Sequence, residues 1–327
     1  MKKDAIENMG DFLYLLDDYI DSMIGGNLPS TIKEHRSKIR RFDPIFKELK
    51  RFGKVESIDP RDMTERDVRY FVNALQERDI VPATQQKYLQ LLNCYLSFVG
   101  NRSVDEARRK LKITVQRNPI KSLSVDDIGK IFLTIDEMKG WRGSVARGMI
   151  HMAFQTLARP SEIRTALFSD LDYVKKQFYI RNPKGKGSYA AGQFVDLLRP
   201  DFYSQINQYI AERETYLMRR GKTSEYLFPN IIGESNGFYS SNAQRGIIRE
   251  VSFRSGIDFS LKTFRAAGAD LFITANLQNL NAISAQLRHS NVGVTQRYYA
   301  DIQRSQVRKQ LGDTFERIPI PQVRKSE

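Results

Sequence analysis

Residues 173–197 have the sequence YVKKQFYIRNPKGKGSYAAGQFVDL, in which short runs of aromatic and β-branched residues alternate with turn-forming residues. Such runs, separated by Gly, Pro, Asn and Ser, predict short strands joined by tight turns. QFVDL is the predicted returning strand, and the Gly-rich segment before it is the predicted hairpin tip. Helical patterns dominate the rest of the chain, so we expect a mainly α fold with a small antiparallel β-sheet.

Helical periodicity surrounds this sheet on both sides. Ser124 is a predicted N-cap, with Asp127 three residues later, and an apolar stripe follows at Ile128, Ile131, Phe132 and Ile135. Helix is predicted to continue to about residue 168, and helical patterns return from Pro200 onward. We therefore expect residues 121–327 to form one larger domain that ends in a C-terminal tail.

Residues 11–99 are predicted to form four helices. The first has a one-sided apolar pattern at Phe12, Leu15, Leu16, Tyr19, Ile20 and Met23. Thr64 is the predicted N-cap of the third helix, with Asp67 three residues later, and the fourth begins after Pro82. We expect a four-helix domain over 1–100, followed by a charged, apolar-poor linker at about 101–120.

The charge of the chain indicates its partner. Fifty-two Lys and Arg residues stand against 38 Asp and Glu residues, which gives a net charge of +14 and favours a nucleic acid partner. Nine basic residues and three acidic residues lie between Thr31 and Lys54, within the predicted second helix and the segment after it. This surface could bind DNA phosphates or could be an ordinary solvated helix face. The candidate DNA-binding residues are Lys33, Arg36, Arg40 and Arg41.

Composition also argues against several classes of site. Three histidines and one cysteine, Cys94, leave no plausible zinc site and exclude a disulfide within the chain. Carboxylate-bound Mg²⁺ is not excluded by such counting. The sequence has no apolar run long enough to span a bilayer, and the N-terminus lacks an apolar signal core. We expect a cytoplasmic protein without a membrane partner.

Four stretches of the larger domain carry cationic or hydrogen-bonding groups near predicted element ends. They are TLARPSEI (156–163), NPKGKG (182–187), SLKTFRAAGADLF (260–272) and LRHSNVGVTQRYYA (287–300). A phosphodiester under attack by an oxygen gains negative charge on its non-bridging oxygens in the transition state. Guanidinium groups stabilise such charge with paired hydrogen bonds, and Arg159 and Arg265 are the predicted pair.

These stretches resemble the tyrosine recombinase (phage-integrase, Xer-like) family over about residues 11–310. Arg159, Ser161 and Glu162 match the R-x-S-E box of the family. The hairpin KGKG followed by VDL is similar to its lysine-bearing β-turn. The segment EYLFP (225–229) is similar to the short apolar segment that precedes the last catalytic helices.

The last two boxes of the family lie near the C-terminus. Arg265 stands where the family has the arginine of H-x-x-R, and His289 and Tyr298 match a terminal box in which the nucleophile follows nine residues after a histidine. Lys262 replaces the usual histidine of H-x-x-R. A lysine still donates hydrogen bonds and carries positive charge, and some archaeal and viral members of the family carry one here. We therefore expect a variant active site that retains activity.

The resemblance implies a site-specific recombination reaction that needs no cofactor. Tyr298 would attack a DNA phosphodiester to give a 3′-phosphotyrosyl bond, and the hairpin lysine would protonate the leaving 5′-oxygen. The catalytic set that the resemblance implies is Arg159, Lys186, Lys262, Arg265, His289 and Tyr298. Two alternatives stay open, because Lys184 competes with Lys186 for the hairpin role and Tyr299 competes with Tyr298 as nucleophile.

The resemblance also implies an architecture and partners. We expect the N-terminal DNA-binding domain and the catalytic domain to form a C-shaped clamp around double-stranded DNA. The protein is expected to be a homo-oligomer on DNA, a tetramer in the synapse, with the stripe Val307, Leu311 and Phe315 either docking on a neighbouring protomer or packing locally. The competing functions are a type IB-like topoisomerase and a catalytically decayed DNA-binding protein.

Overall fold

The computed structural model describes residues 10–115, 123–181, 183, 192–232, 237–275 and 280–288. The chain divides into two compact units, residues 1–119 and residues 120–327. Each unit has its own apolar core. None of the described helices has the length and apolar character that a membrane span requires.

The four helices predicted in the first unit are confirmed. They are α1 (Leu16–Ser22), α2 (Pro29–Arg51), α3 (Glu65–Gln76) and α4 (Pro82–Phe98). The first helix begins at Leu16, later than its apolar pattern, although Phe12 before it is fully buried. Thr64 and Asp67 form the predicted capping box, in which the Thr64 amide donates to Asp67 Oδ2 (2.8 Å) and the Asp67 amide donates to Thr64 Oγ1 (3.3 Å).

A fifth helix of the first unit, α5 (Ser103–Lys110), occupies the start of the predicted linker. Its residues Val104 and Ala107 are fully buried in the first core, and the Asn101 side chain donates to the carbonyls of Pro60 (2.8 Å) and Met63 (2.8 Å). The linker prediction is therefore wrong for this segment. The charged residues around Val104 and Ala107 concealed a helix that needs only one narrow apolar face.

The second unit is mainly helical, as predicted. Its helices are α6 (Val125–Glu137), α7 (Gly140–Thr156), α8 (Pro160–Arg164), α9 (Tyr203–Arg219), α10 (Ser241–Ser255), α11 (Leu261–Ala275) and α12 (Leu280–Leu287). Short 3₁₀ turns occur at Phe168–Asp170 and Pro200–Phe202. The predicted Ser124–Asp127 capping box is present at the start of α6. The prediction of helix from Pro200 onward is wrong for the segment after α9. This segment takes part in two isolated β-bridges, Leu167 with Tyr226 and Pro229 with Phe238.

The predicted small antiparallel sheet is also confirmed. Its strands are β1 (Leu171–Asp172), β2 (Gln177–Ile180) and β3 (Gln193–Asp196), in the order β1-β2-β3. Phe178 pairs with Val195 in the β2–β3 register, and both side chains are buried in the second core. The strand QFVDL therefore returns as expected, whereas the hairpin tip lies outside the described residues.

Helix α7 lies at the centre of the second core. Every residue from Gly143 to Thr156 is buried, and the helix packs against α6, α9, α10 and α11. His151 on this helix stacks on Phe132, with ring centroids 4.8 Å apart, and burial lowers its pKa to about 4. This histidine is therefore neutral near pH 7 and is part of the core.

The close packing of α7 on α9 gives a first prediction. A methyl group at Gly148 would lie 2.7 Å from Cγ of Tyr209 and 2.9 Å from Cε1 of Phe228, so Gly148→Ala forces two buried rings apart. We expect a loss of about 1–3 kcal/mol in the free energy of unfolding, measured by urea denaturation. The matched control is Gly129→Ala in α6, where no atom lies within 4 Å of the added methyl group. That change should stabilise by about 0.5–1 kcal/mol, and equal effects of the two changes would contradict this packing.

Candidate active site

Arg159 is placed by a sharp turn at the end of α7. The helix ends at Thr156, and Leu157 then adopts a left-handed backbone conformation with φ of 50°. The Leu157 side chain is fully buried in a small apolar cluster formed with Ala269, Ile273, Ile283 and Leu287. This cluster anchors the end of α7 to α11 and α12, and it sets the position at which α8 begins, with Arg159 as its N-cap residue.

Glu162 holds Arg159 at two points. The Arg159 amide donates to Glu162 Oε2 (2.6 Å), and Arg159 Nη1 donates to Glu162 Oε1 (2.9 Å). The Glu162 side chain is 5% exposed and the Arg159 side chain is 22% exposed, so the carboxylate is enclosed while part of the guanidinium remains accessible. Glu162 therefore orients Arg159 by binding both its backbone and its side chain.

Arg265 and Lys262 lie three residues apart on α11. Arg265 is buried, and its Nη2 donates to the carbonyl of Leu287 (3.0 Å). Lys262 is exposed in the first turn of the helix. Because residues three apart share one face of a helix, the same face presents a fixed guanidinium and an accessible ammonium group.

Arg159, Lys262 and Arg265 all line one cavity of about 1010 Å³. Among its described lining residues are six basic side chains and one carboxylate, Asp258. The six basic residues are Arg159, Arg164, Arg245, Arg249, Lys262 and Arg265. Burial lowers the pKa of the Arg164 guanidinium, whereas Arg245 and Arg249 are exposed on α10. A cavity lined in this way attracts anions, and its arginines suit the oxygens of a phosphodiester.

The structure thus brings together three of the six predicted catalytic residues, Arg159, Lys262 and Arg265. The other three, Lys186, His289 and Tyr298, lie outside the described residues. The alternatives Lys184 and Tyr299 and the C-terminal tail with its apolar stripe also lie outside them. Within the described parts of the chain, no group of His, Cys, Asp or Glu side chains is arranged to hold a metal ion.

Two residues near the cavity were not identified from the sequence. The Gln286 side chain donates to the carbonyls of Asp196 (2.8 Å) and Thr156 (3.2 Å), which joins α12 to β3 and to the end of α7. Arg288 Nη2 donates to Glu162 Oε2 (2.6 Å), and both side chains are buried. These partners are distant in the sequence, so no local pattern could have revealed them.

The predicted basic face of α2 is present in the first unit. Its buried stripe consists of Ile39, Phe42, Phe46 and Leu49. At roughly 100° per residue, Lys33, Arg40 and Arg41 fall on the side of the helix away from this stripe, whereas Arg36 falls on its flank. Lys33, Arg40 and Arg41 are exposed, whereas Arg36 forms an ion pair with Asp17 at 3.0 Å. Three of the four candidates are thus accessible cations, and the fourth already has a carboxylate partner.

The sequence of the second unit matches a known family over its length. A family model described as the phage integrase family matches residues 121–304, which is more than half of the chain. The chain belongs to the phage integrase family. This membership confirms the resemblance to tyrosine recombinases that the sequence boxes indicated. The cavity with Arg159, Lys262 and Arg265 lies within the matched region.

Solved structures of similar fold extend the likeness to both units. The Tn1549 transposon integrase in complex with transposon right end DNA is 14% identical, covering 90% of this chain and 98% of that chain with a TM-score of 0.62. A lambda integrase dimer bound to a COC′ core site is 15% identical, covering 86% and 93% with a TM-score of 0.58. The XerH site-specific recombinase bound to its difH substrate is 15% identical, covering 90% and 83% with a TM-score of 0.60. Against the curated proteins, the sequence finds no match.

Proposed function

We propose that this protein is a site-specific recombinase that breaks and rejoins DNA strands through a tyrosine nucleophile. The observation that carries the proposal is the cavity in which Arg159 and Arg265 meet, together with Lys262. The two arginines come from different elements, α8 and α11, and both are fixed by hydrogen bonds to the protein. Cations held in place before the reaction stabilise developing charge without reorganising during it.

The proposed reaction has two balanced steps. The Tyr298 oxygen attacks a DNA phosphorus, gives up its proton to water and forms a 3′-phosphotyrosyl bond, while the bond to the 5′-oxygen breaks. The hairpin lysine, Lys186 or its alternative Lys184, gives a proton to that leaving oxygen. In the second step, a 5′-hydroxyl of the partner strand attacks the phosphotyrosine and returns a proton to the hairpin lysine, while the tyrosine oxygen leaves and takes up a proton from water. The energy of the broken bond is kept in the protein linkage, so no cofactor is consumed.

The remaining catalytic residues act on the charge of the phosphate. Arg159 and Arg265 bind the non-bridging oxygens, helped by Lys262 and His289. Lys262 is accessible on the same helix face as Arg265, which suits it for contact with a phosphate that the buried arginine also binds. A lysine in this place supplies positive charge and hydrogen bonds.

The likeness to DNA-bound proteins supports the assignment of the partner. The similar structures are described as an integrase with transposon end DNA, an integrase dimer on a core site and a recombinase on its substrate. For this chain we propose double-stranded DNA as the partner and a homo-oligomer on DNA, with a tetramer in the synapse. Residues 121–327 would be the catalytic domain, and the first unit, including α5, would be a helical DNA-binding domain.

The basic face of α2 yields a prediction on binding. Replacing Lys33, Arg40 and Arg41 together with alanine should reduce the slope of log K against log salt by about 0.9 for each phosphate that is no longer bound, about 3 in all. The slope is measured by fluorescence anisotropy with a duplex over a range of salt concentrations. A matched control removes the same charge at Arg219, Arg220 and Lys222, which are exposed at the end of α9. An equal fall in slope for both triple variants would show that only net charge matters and that α2 does not contact DNA.

The proposed function is tested by trapping the covalent intermediate. Duplexes that bind the protein are selected from a random library, and each is rebuilt with a nick close to the scissile position so that the short released strand diffuses away. The expected result is a protein–DNA adduct on a denaturing gel, formed without added metal or nucleotide. Exchange between paired sites should follow on intact duplexes. Plasmid relaxation without exchange would support the topoisomerase alternative, and tight binding without any adduct would support the decayed DNA-binding protein.

A further inference from the structure

Three consecutive residues at the end of α12 connect separate parts of the active-site region. The Gln286 side chain binds the carbonyls of Thr156 and Asp196, and the Leu287 carbonyl accepts from Arg265. Arg288 then binds Glu162. Each of the three residues thus ties α12 to a different element near the cavity, and only the Arg288 contact leads to Arg159.

Arg288 occupies an unfavourable position for an arginine. Its side chain is 2% exposed, and its backbone is left-handed with φ of 56°, a conformation that glycine adopts most readily. Burial lowers the pKa of the Arg288 guanidinium, and the Glu162 carboxylate opposes that shift. Removing one member of a buried ion pair leaves the other charge unpaired, so Arg288 and Glu162 depend on each other.

Glu162 is shared between two arginines. Its Oε2 atom accepts from both the Arg159 amide (2.6 Å) and Arg288 Nη2 (2.6 Å), while Oε1 accepts from Arg159 Nη1 (2.9 Å). Arg288 Nη1 also donates to the Gln286 carbonyl (2.8 Å), which fixes the second guanidinium in turn. Without Arg288, the carboxylate loses one of these three hydrogen bonds, the one that does not come from Arg159 itself.

We propose that Arg288 is a positioning residue that acts through Glu162 to orient the Arg159 guanidinium toward the scissile phosphate. The enclosed side chain of Arg288 is not available to touch DNA, so its effect passes through the two partners. The inference rests on the proposed function, because it assigns Arg159 a phosphate ligand. It adds a residue to that site and assigns a role to the buried pair.

The decisive variant is Arg288→Gly, which removes the guanidinium and suits the left-handed backbone. We expect the single-turnover rate of adduct formation to fall about 10²-fold while the affinity for uncut duplex stays at the wild-type value. A second substrate carries a neutral methylphosphonate at the scissile position. This group leaves less negative charge for the Arg159 guanidinium to stabilise. On this substrate the deficits of Arg288→Gly and Arg159→Lys should both shrink. An equal deficit on both substrates, or no deficit on either, would overturn the proposal.

Two controls separate positioning from general structure. Asp79→Gly replaces another left-handed residue (φ 53°), exposed in the first unit, and should leave the rate unchanged. The double variant Arg288→Gly with Arg159→Ala should be no slower than Arg159→Ala alone, because both changes remove the same interaction with the phosphate. Independent losses that multiply would show that Arg288 acts elsewhere.

A readout without DNA distinguishes failure of this inference from failure of the proposed function. Side-chain ¹⁵N relaxation of the Arg159 Nε–Hε group, assigned with Arg159→Lys, reports how firmly the guanidinium is held. In Arg288→Gly the order parameter of this group should fall, while that of Arg213 Nε–Hε, which donates to Tyr226, should not change. An unchanged order parameter for Arg159 in Arg288→Gly overturns the positioning role, even if the wild-type protein cleaves DNA. If the order parameter falls in Arg288→Gly but the wild-type protein forms no adduct, the Arg288–Glu162 contact is upheld and the recombinase proposal is overturned.

Discussion

Tyr298→Phe is expected to abolish the covalent protein–DNA adduct, with a loss of more than about 10⁴-fold in its rate of formation. The phenyl ring keeps the shape of the side chain and removes the only atom that could form the bond. DNA affinity should stay at the wild-type value, because phosphate binding by the arginine-lined cavity does not depend on the tyrosine hydroxyl. The measurement is the time course of adduct on a denaturing gel with the nicked suicide duplex.

Tyr299→Phe is the matched control for that experiment. The two tyrosines are adjacent, and the terminal box, in which the nucleophile follows nine residues after His289, favours Tyr298. We expect Tyr299→Phe to form adduct at a rate close to that of the wild type. Loss of the adduct in Tyr299→Phe alone would identify Tyr299 as the nucleophile and would shift the terminal box by one residue.

The second large effect is expected at the two arginines of the cavity. Arg159→Ala and Arg265→Ala should each lower the rate of adduct formation by about 10²–10³-fold, since each removes one fixed donor to the transition state. Arg159→Lys and Arg265→Lys should recover only part of this loss, because an ammonium group keeps the charge but not the paired geometry. Rates are compared at saturating duplex, so that the chemical step is measured separately from binding.

Folding controls are needed most at Arg265, which is buried and donates to the Leu287 carbonyl. Thermal unfolding of each variant shows whether the fold is retained, and Arg219→Ala on the exposed end of α9 controls for loss of a positive charge. A loss below about 10-fold in both stably folded alanine variants would contradict the assignment of these arginines to the phosphate. It would leave the cavity as a DNA-binding surface only.

Several features of the protein were determined by the sequence alone. The capping boxes at Thr64 and Ser124 were predictable because both partners of each bond lie three residues apart. The small sheet was predictable because its strands follow one another and are bounded by turn residues. The family boxes identified Arg159, Lys262 and Arg265, and the structure places them at one cavity.

Other features were decided only by the tertiary structure. Helix α5 was missed because its burial depends on a core made by residues far from it, while its own sequence is mostly charged. The Arg288–Glu162 contact joins residues 126 positions apart, and the Gln286–Thr156 contact joins residues 130 positions apart. A sequence pattern predicts which side chains share one face of a helix or strand, because the local backbone geometry sets the spacing of those side chains. Which distant carboxylate or carbonyl meets a buried arginine depends on how the elements pack, and packing is set by the whole core at once.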